Sequence, residues 1–141
     1  MYKHILVPTD GSPVAEDGVR AAVAFAKEVG ARITAVMVKQ SSFTEQDFVQ
    51  HPSFDSLAEQ VAREDIGAVE KLCGEAGVNF GKFTVTNRSA DEGIIEAASQ
   101  CGCDLIFMAS HGHSGLAAVF LGSVAAKVIA HSRIPVLVHR H

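Results

Sequence analysis

Five short apolar runs recur along this chain, each divided from the next by a stretch of helical spacing, and that alternation limits its fold more than any other feature. The runs are His4–Val7, Ile33–Val38, Phe80–Thr86, Leu105–Met108 and Val136–Val138. Leu105–Met108 has the length and bulk of a strand buried on both faces. Phe80–Thr86 alternates, and Lys82 within it suits an exposed sheet edge. Between the first two runs, Ser12 supplies an N-cap and Pro13 a first helical residue. Ala15, Val19, Ala22, Val23, Ala26 and Val29 then recur at helical spacing as far as Gly30. A second helix is expected from Ser53 to Ala76, carrying Leu57, Val61, Ala68, Val69 and Leu72 and ended by Gly77. Ser89 to Glu92 reads as a capping box opening a third, with Ile94, Ile95, Ala97 and Ala98, which stops at Gly102. The last helix runs through Val124, Val128 and Ile129. Residues 40–53 are polar and read as a loop, either a functional lid or an insertion without a role. When every crossover contains a helix, the strands must lie parallel with helices on both faces. The expectation is an α/β fold with an open five-stranded parallel sheet, as one domain over residues 1–141.

Composition narrows the function. At 48% hydrophobic and 20% charged, the chain of 141 residues is too apolar for disorder and long enough to bury a core. A net charge of −4 argues against broad binding to nucleic acid or anionic membrane. No apolar stretch approaches the roughly 18 residues of a membrane span, and Pro8 and Asp10 interrupt the N-terminal run too early for a signal peptide. A cytoplasmic location is expected. Cys73, Cys101 and Cys103 form an odd set whose C-x-C pair cannot easily close without strain, so they read as reduced thiols rather than a metal site.

The segment from Asp104 to Ala126 carries the chemistry. An apolar run leads into small polar residues with Gly112, Gly115 and Gly122, and Gly122-Ser123 opens the final helix. Strand, glycine-rich loop and helix N-terminus in that order build a phosphate cradle, because glycine admits the anion and the first-turn amides point at it. After Asp104 there is no Lys, Arg, Asp or Glu until Lys127. An anion here must be held by backbone amides, by the hydroxyls of Ser110, Ser114 and Ser123, and by the imidazoles of His111 and His113.

In an open sheet of this kind ligands bind beyond the carboxyl ends of the strands, where the winding reverses. If strands 1 and 4 flank that point, Pro8, Thr9 and Asp10 share a crevice with the stretch from Met108 to Gly112. Asp10 repels phosphate and belongs at the other end of a nucleotide, accepting from a ribose hydroxyl or an adenine amino group. The alternative is a turn residue bonding its own backbone.

These residues resemble the universal stress protein family over nearly the whole chain. The likeness begins with His4-Ile-Leu-Val-Pro-Thr-Asp-Gly-Ser12 and ends with Gly122-Ser-Val-Ala-Ala-Lys-Val-Ile-Ala-His-Ser-Arg-Ile-Pro-Val-Leu-Val138. ATP-binding members carry G-x-x-G, nine residues, then G-[S/T]. Here Ala109 to Gly112, nine residues and Gly122-Ser123 keep that spacing, with Ala109 in place of the first glycine. The resemblance implies a Rossmann-like strand order of 3-2-1-4-5. It also implies ATP, with or without Mg²⁺, as the cofactor. Gly112, Gly122, Ser123 and Val124 would hold the phosphates, and Asp10, Val38 and Met108 would line the adenosine side. If position 109 requires a positive φ, a Cβ there costs roughly 1–2 kcal/mol; if it only lies near the phosphates, a methyl is tolerated.

The same segment lacks the lysine and carboxylates of fast phosphoryl transfer. Catalysis would rest on His111 or His113 alone, so no catalytic residue is assigned. The favoured reading is an adenine-nucleotide-binding regulatory stress protein with at most slow ATP hydrolysis. A nucleotide-free dimerisation or docking module and a weak ATPase or nucleotidyl-transferring enzyme are the alternatives. In the 3-2-1-4-5 order, Val136, Leu137 and Val138 form an uncharged apolar edge, which calls for a cover. A homodimer through that strand supplies one, in keeping with the family resemblance.

Overall fold

The computed structural model describes residues 2–9, 16–40, 52–109 and 122–140, with side chains omitted at 16–17, 40, 52–62 and 65. Along the chain the elements are β1 (His4–Thr9), α1 (Glu16–Val29), β2 (Arg32–Gln40), α2 (Pro52–Ala76), β3 (Phe80–Asn87), α3 (Ala90–Cys101), β4 (Leu105–Ala109), α4 (Ser123–His131) and β5 (Val136–His139). All neighbouring strands pair in parallel, in the order β3-β2-β1-β4-β5. The expected fold class and strand order are therefore the observed ones.

Strand alternation sends successive side chains to opposite faces. Ile5, Val7, Ile33, Leu105 and Phe107 pack with Val19, Val23 and Ala26 of α1 and Val69 and Cys73 of α2. Leu6, Val36, Val38, Ile106 and Met108 pack with Ile94, Ala97 and Ala98 of α3 and Ala125 and Val128 of α4. So α1 and α2 cover one face and α3 and α4 the other. The chain changes face after β3, which makes the gap between β1 and β4 the reversal point.

Element ends follow local chemistry; β1, expected to stop at Pro8, instead runs on to Thr9 by pairing with Val36 and Met37 of β2, and two further departures stand beside it. Gly30, Gly77 and Gly102 each follow a helix with φ between 72° and 75°, a conformation that glycine adopts without a Cβ penalty. The first of these two is β2, which continues past Val38 to Gln40 because its ladder with β3 runs on through Gln40 and Asn87. With Pro52 opening α2, only residues 41–51 of the expected loop remain, and these lie outside the described residues. The second is the Ser89–Glu92 capping box, which does not form. Ser89 occupies the N-cap position without a side-chain bond, and its own N–H donates to Asn87 Oδ1 at 3.2 Å. Asn87 has taken the donor that Glu92 would have satisfied, and Ser89 Oγ is left buried without a partner.

The amino edge of the sheet is tied by Asp104. Its carboxylate accepts the N–H groups of Lys3 at 2.9 Å and His4 at 3.0 Å, while its own N–H donates to the His4 carbonyl at 2.9 Å. His4 is buried, with Nε2 2.6 Å from Thr34 Oγ1. All three cysteines are free thiols; burial pushes Cys73 up to about 11 and Cys103 up to about 12. Among the described residues, no helix is long and apolar enough to cross a membrane, and no group of three or more His, Cys, Asp or Glu is placed to hold a metal ion.

Candidate functional site

Parallel pairing puts the carboxyl ends of all the strands along one edge of the sheet, and eight of the ten expected site residues are described there. Pro8 and Thr9 end β1, Val38 lies near the end of β2, and Met108 and Ala109 end β4. Gly122, Ser123 and Val124 form the start of α4. Asp10 and Gly112 lie outside the described residues, as do Ser110, His111, His113 and Ser114.

These residues do not all offer side chains to a ligand. Thr9 is 0% exposed and donates its hydroxyl to the Val36 carbonyl at 2.9 Å, so that group is spent on holding the β1 tip to β2. Val38 and Met108 are buried on the same face of the sheet, the face covered by α3 and α4. Val124 is half-buried and packs its side chain into that cluster, leaving its amide as the group for a ligand. Ser123 is exposed.

Ala109 follows Leu105 and Phe107 on the opposite face, toward α1. A Cβ placed on Gly18 would lie 3.4 Å from the Ala109 Cβ, so the alanine methyl meets the one residue of α1 that has no side chain. No described non-glycine residue has a positive φ, so Ala109 itself has ordinary strand geometry at the end of β4.

Two helices begin at this edge on the same face, and they differ in charge. The first turn of α3 holds Asp91 and Glu92, carboxylates that complement the helix dipole and would repel an anion. The first turn of α4 holds no acid. Its N-cap is Gly122, extended at φ −60° and ψ 150°, a residue with no side chain to cap the first-turn amides. The Gly122 carbonyl accepts the Ala126 N–H at 2.9 Å, so the amides of Ser123, Val124 and Ala125 precede the helix's own ladder. A chain end of this kind attracts phosphate through backbone donors alone.

Two glycines pack against these strand ends, and both escaped reading from the sequence. Gly18 sits against Ala109, and Gly93 of α3 sits against Val38. The available signal was a glycine within a helical pattern, which usually has a packing reason.

A family model described as the universal stress protein family matches residues 1–140. The universal stress protein MJ0531 of Methanocaldococcus jannaschii is 35% identical over 144 residues, covering 98% of this chain and 82% of its own. Among solved structures, the hypothetical protein MJ0577 is 30% identical with a TM-score of 0.70, over 100% of this chain and 97% of that one. A universal stress protein solved in complex with cAMP shares the fold at 22% identity and a TM-score of 0.65, over 99% of this chain and 97% of that one.

Proposed function

This chain belongs to the universal stress protein family, and from that premise we propose that it is an adenine-nucleotide-binding regulatory protein, with ATP as its ligand, acting as a homodimer. The observation that carries the reading is the N-terminus of α4, glycine-capped and free of acidic residues in its first turn. The amides of Ser123 and Val124, with Gly122 giving close approach, would hold the phosphates. Val38 and Met108 would face the adenosine, with Asp10 accepting from its polar groups. A universal stress protein of the same fold, solved in complex with cAMP, supports an adenine nucleotide as the class of ligand.

Binding rather than fast turnover is favoured by the absence of Lys, Arg, Asp and Glu between Asp104 and Lys127, which leaves His111 and His113 as the side chains there that could act as a base. Backbone donors can bind a phosphate chain, but they supply neither a base nor a cationic clamp for transfer. Any Mg²⁺ would accompany the nucleotide. The dimer reading rests on β5, an edge strand whose Val136, Leu137 and Val138 are half-buried, and on Ile129 of α4, which is 45% exposed. A second copy would cover that apolar edge. Denaturing the purified protein and chromatographing the supernatant tests the ligand. An adenine nucleotide should be released; a protein that releases none and takes none up would exclude the reading.

A further inference from the structure

Gly93 stands in the second turn of α3, a place where glycine weakens a helix relative to alanine. Its packing supplies the reason. A Cβ at this position would lie 2.6 Å from Val38 Cγ1, 3.1 Å from Val38 Cγ2 and 3.3 Å from Asn87 Cβ. No other described glycine comes near this: a Cβ would find nothing within 4 Å at Gly67 or Gly74, and only the Ala109 methyl at 3.4 Å from Gly18. Val38 cannot yield easily. Valine is stiff at χ1, and this one is only 8% exposed within the cluster that also holds Ile94 and Met108. The Gly93 N–H is already engaged, donating to the Ser89 carbonyl at 3.1 Å, so the helix is fixed at that turn.

We propose that Gly93 is a positioning residue for the nucleoside end of the site: its missing side chain lets α3 seat on the end of β2 and holds Val38, and with it the β2 tip that an adenosine would meet. The inference rests on the nucleotide-binding reading and extends it from the phosphate end to the base. Substituting alanine at 93 forces Val38 off its rotamer or α3 off the strand, and either movement disturbs the β2 end of the site.

The test is a double-mutant cycle on the full chain, freed of nucleotide, with calorimetric affinities for ATP and AMP and urea unfolding of each variant. Gly93→Ala should weaken ATP and AMP by the same factor, about tenfold, because the two ligands share the adenosine. In a Val38→Ala background, which removes the two nearest of the three atoms that the new methyl would crowd, Gly93→Ala should change neither affinity by more than about twofold. Urea midpoints should follow the same non-additive pattern, which keeps the packing testable if Gly93→Ala alone folds poorly. Wild-type affinity in Gly93→Ala, or an equal loss in both backgrounds, would overturn the inference while leaving the nucleotide reading intact. A wild-type protein that binds neither ligand would instead overturn the nucleotide reading, and this inference with it.

Discussion

Gly18 and Ala109 meet where α1 crosses the end of β4, so closely that a Cβ added to the glycine would stand 3.4 Å from the alanine methyl. The pair explains how a side chain is accommodated at position 109, where the expected phosphate-loop pattern has glycine. The methyl points to the α1 face of the sheet, whereas α4 and its first-turn amides lie on the other. Gly18 leaves the room that Ala109 fills.

Ala109→Gly should therefore leave ATP affinity within about threefold of wild type. It should lower stability by about 0.5–1 kcal/mol, the cost of glycine in a strand. Calorimetry and urea unfolding read the two quantities separately. A tenfold gain in affinity would mean that the methyl crowds the ligand after all.

The β5 edge leads to a second expectation. Leu137 pairs with Phe107 across β4 and lies half-buried at the end of the sheet. Sedimentation should show a dimer, and Leu137→Lys should give monomer or aggregate, with far-UV circular dichroism distinguishing a lost interface from a lost fold. A well-behaved wild-type monomer would refute the proposed dimer.

His4 gives the stability a dependence on pH. Burial lowers its pKa below the ordinary 6.5, and the Arg32 guanidinium lowers it further, against the opposing effects of Asp104 and the Cys101 backbone. Below 6.5 the unfolded chain takes up a proton that the folded imidazole resists. The contribution is thus fully present above that pH and is lost as the pH falls toward the folded value. Asp104 extends the trend at lower pH. Burial raises its pKa, but the hydrogen bonds from the His4, Lys3 and Asp104 backbone outweigh this and set it below 3.8. Urea midpoints should fall between pH 6.5 and 5, and His4→Gln should flatten that slope. An unchanged slope in the variant would remove His4 from the account.

Much of this was legible in the sequence because the physics is local. Apolar runs such as Leu105–Met108 and helix-ending glycines such as Gly102 announce themselves, and a parallel order follows once each crossover holds a helix. Gly122-Ser123 was readable for the same reason: a helix start is a short-range signal. The Gly18–Ala109 and Gly93–Val38 contacts were not, since each joins residues far apart in the chain whose approach only the packed sheet determines. The expected capping box at Ser89 failed on a competitor two residues away, the Asn87 side chain, which pattern reading does not weigh. Pattern reading stops β1 at Pro8 and leaves Thr9 in the turn that follows, so it foresees neither the strand's extension to Thr9 nor the turn of its hydroxyl inward to Val36.

The central claim is that the backbone amides at the start of α4, behind a glycine N-cap, suffice to hold the phosphates of an adenine nucleotide at this edge of the sheet. Isothermal titration of the nucleotide-free wild-type protein with ATP tests it most directly. Saturable binding at one site per chain is the predicted result. A titration that stays flat at millimolar ATP would contradict it.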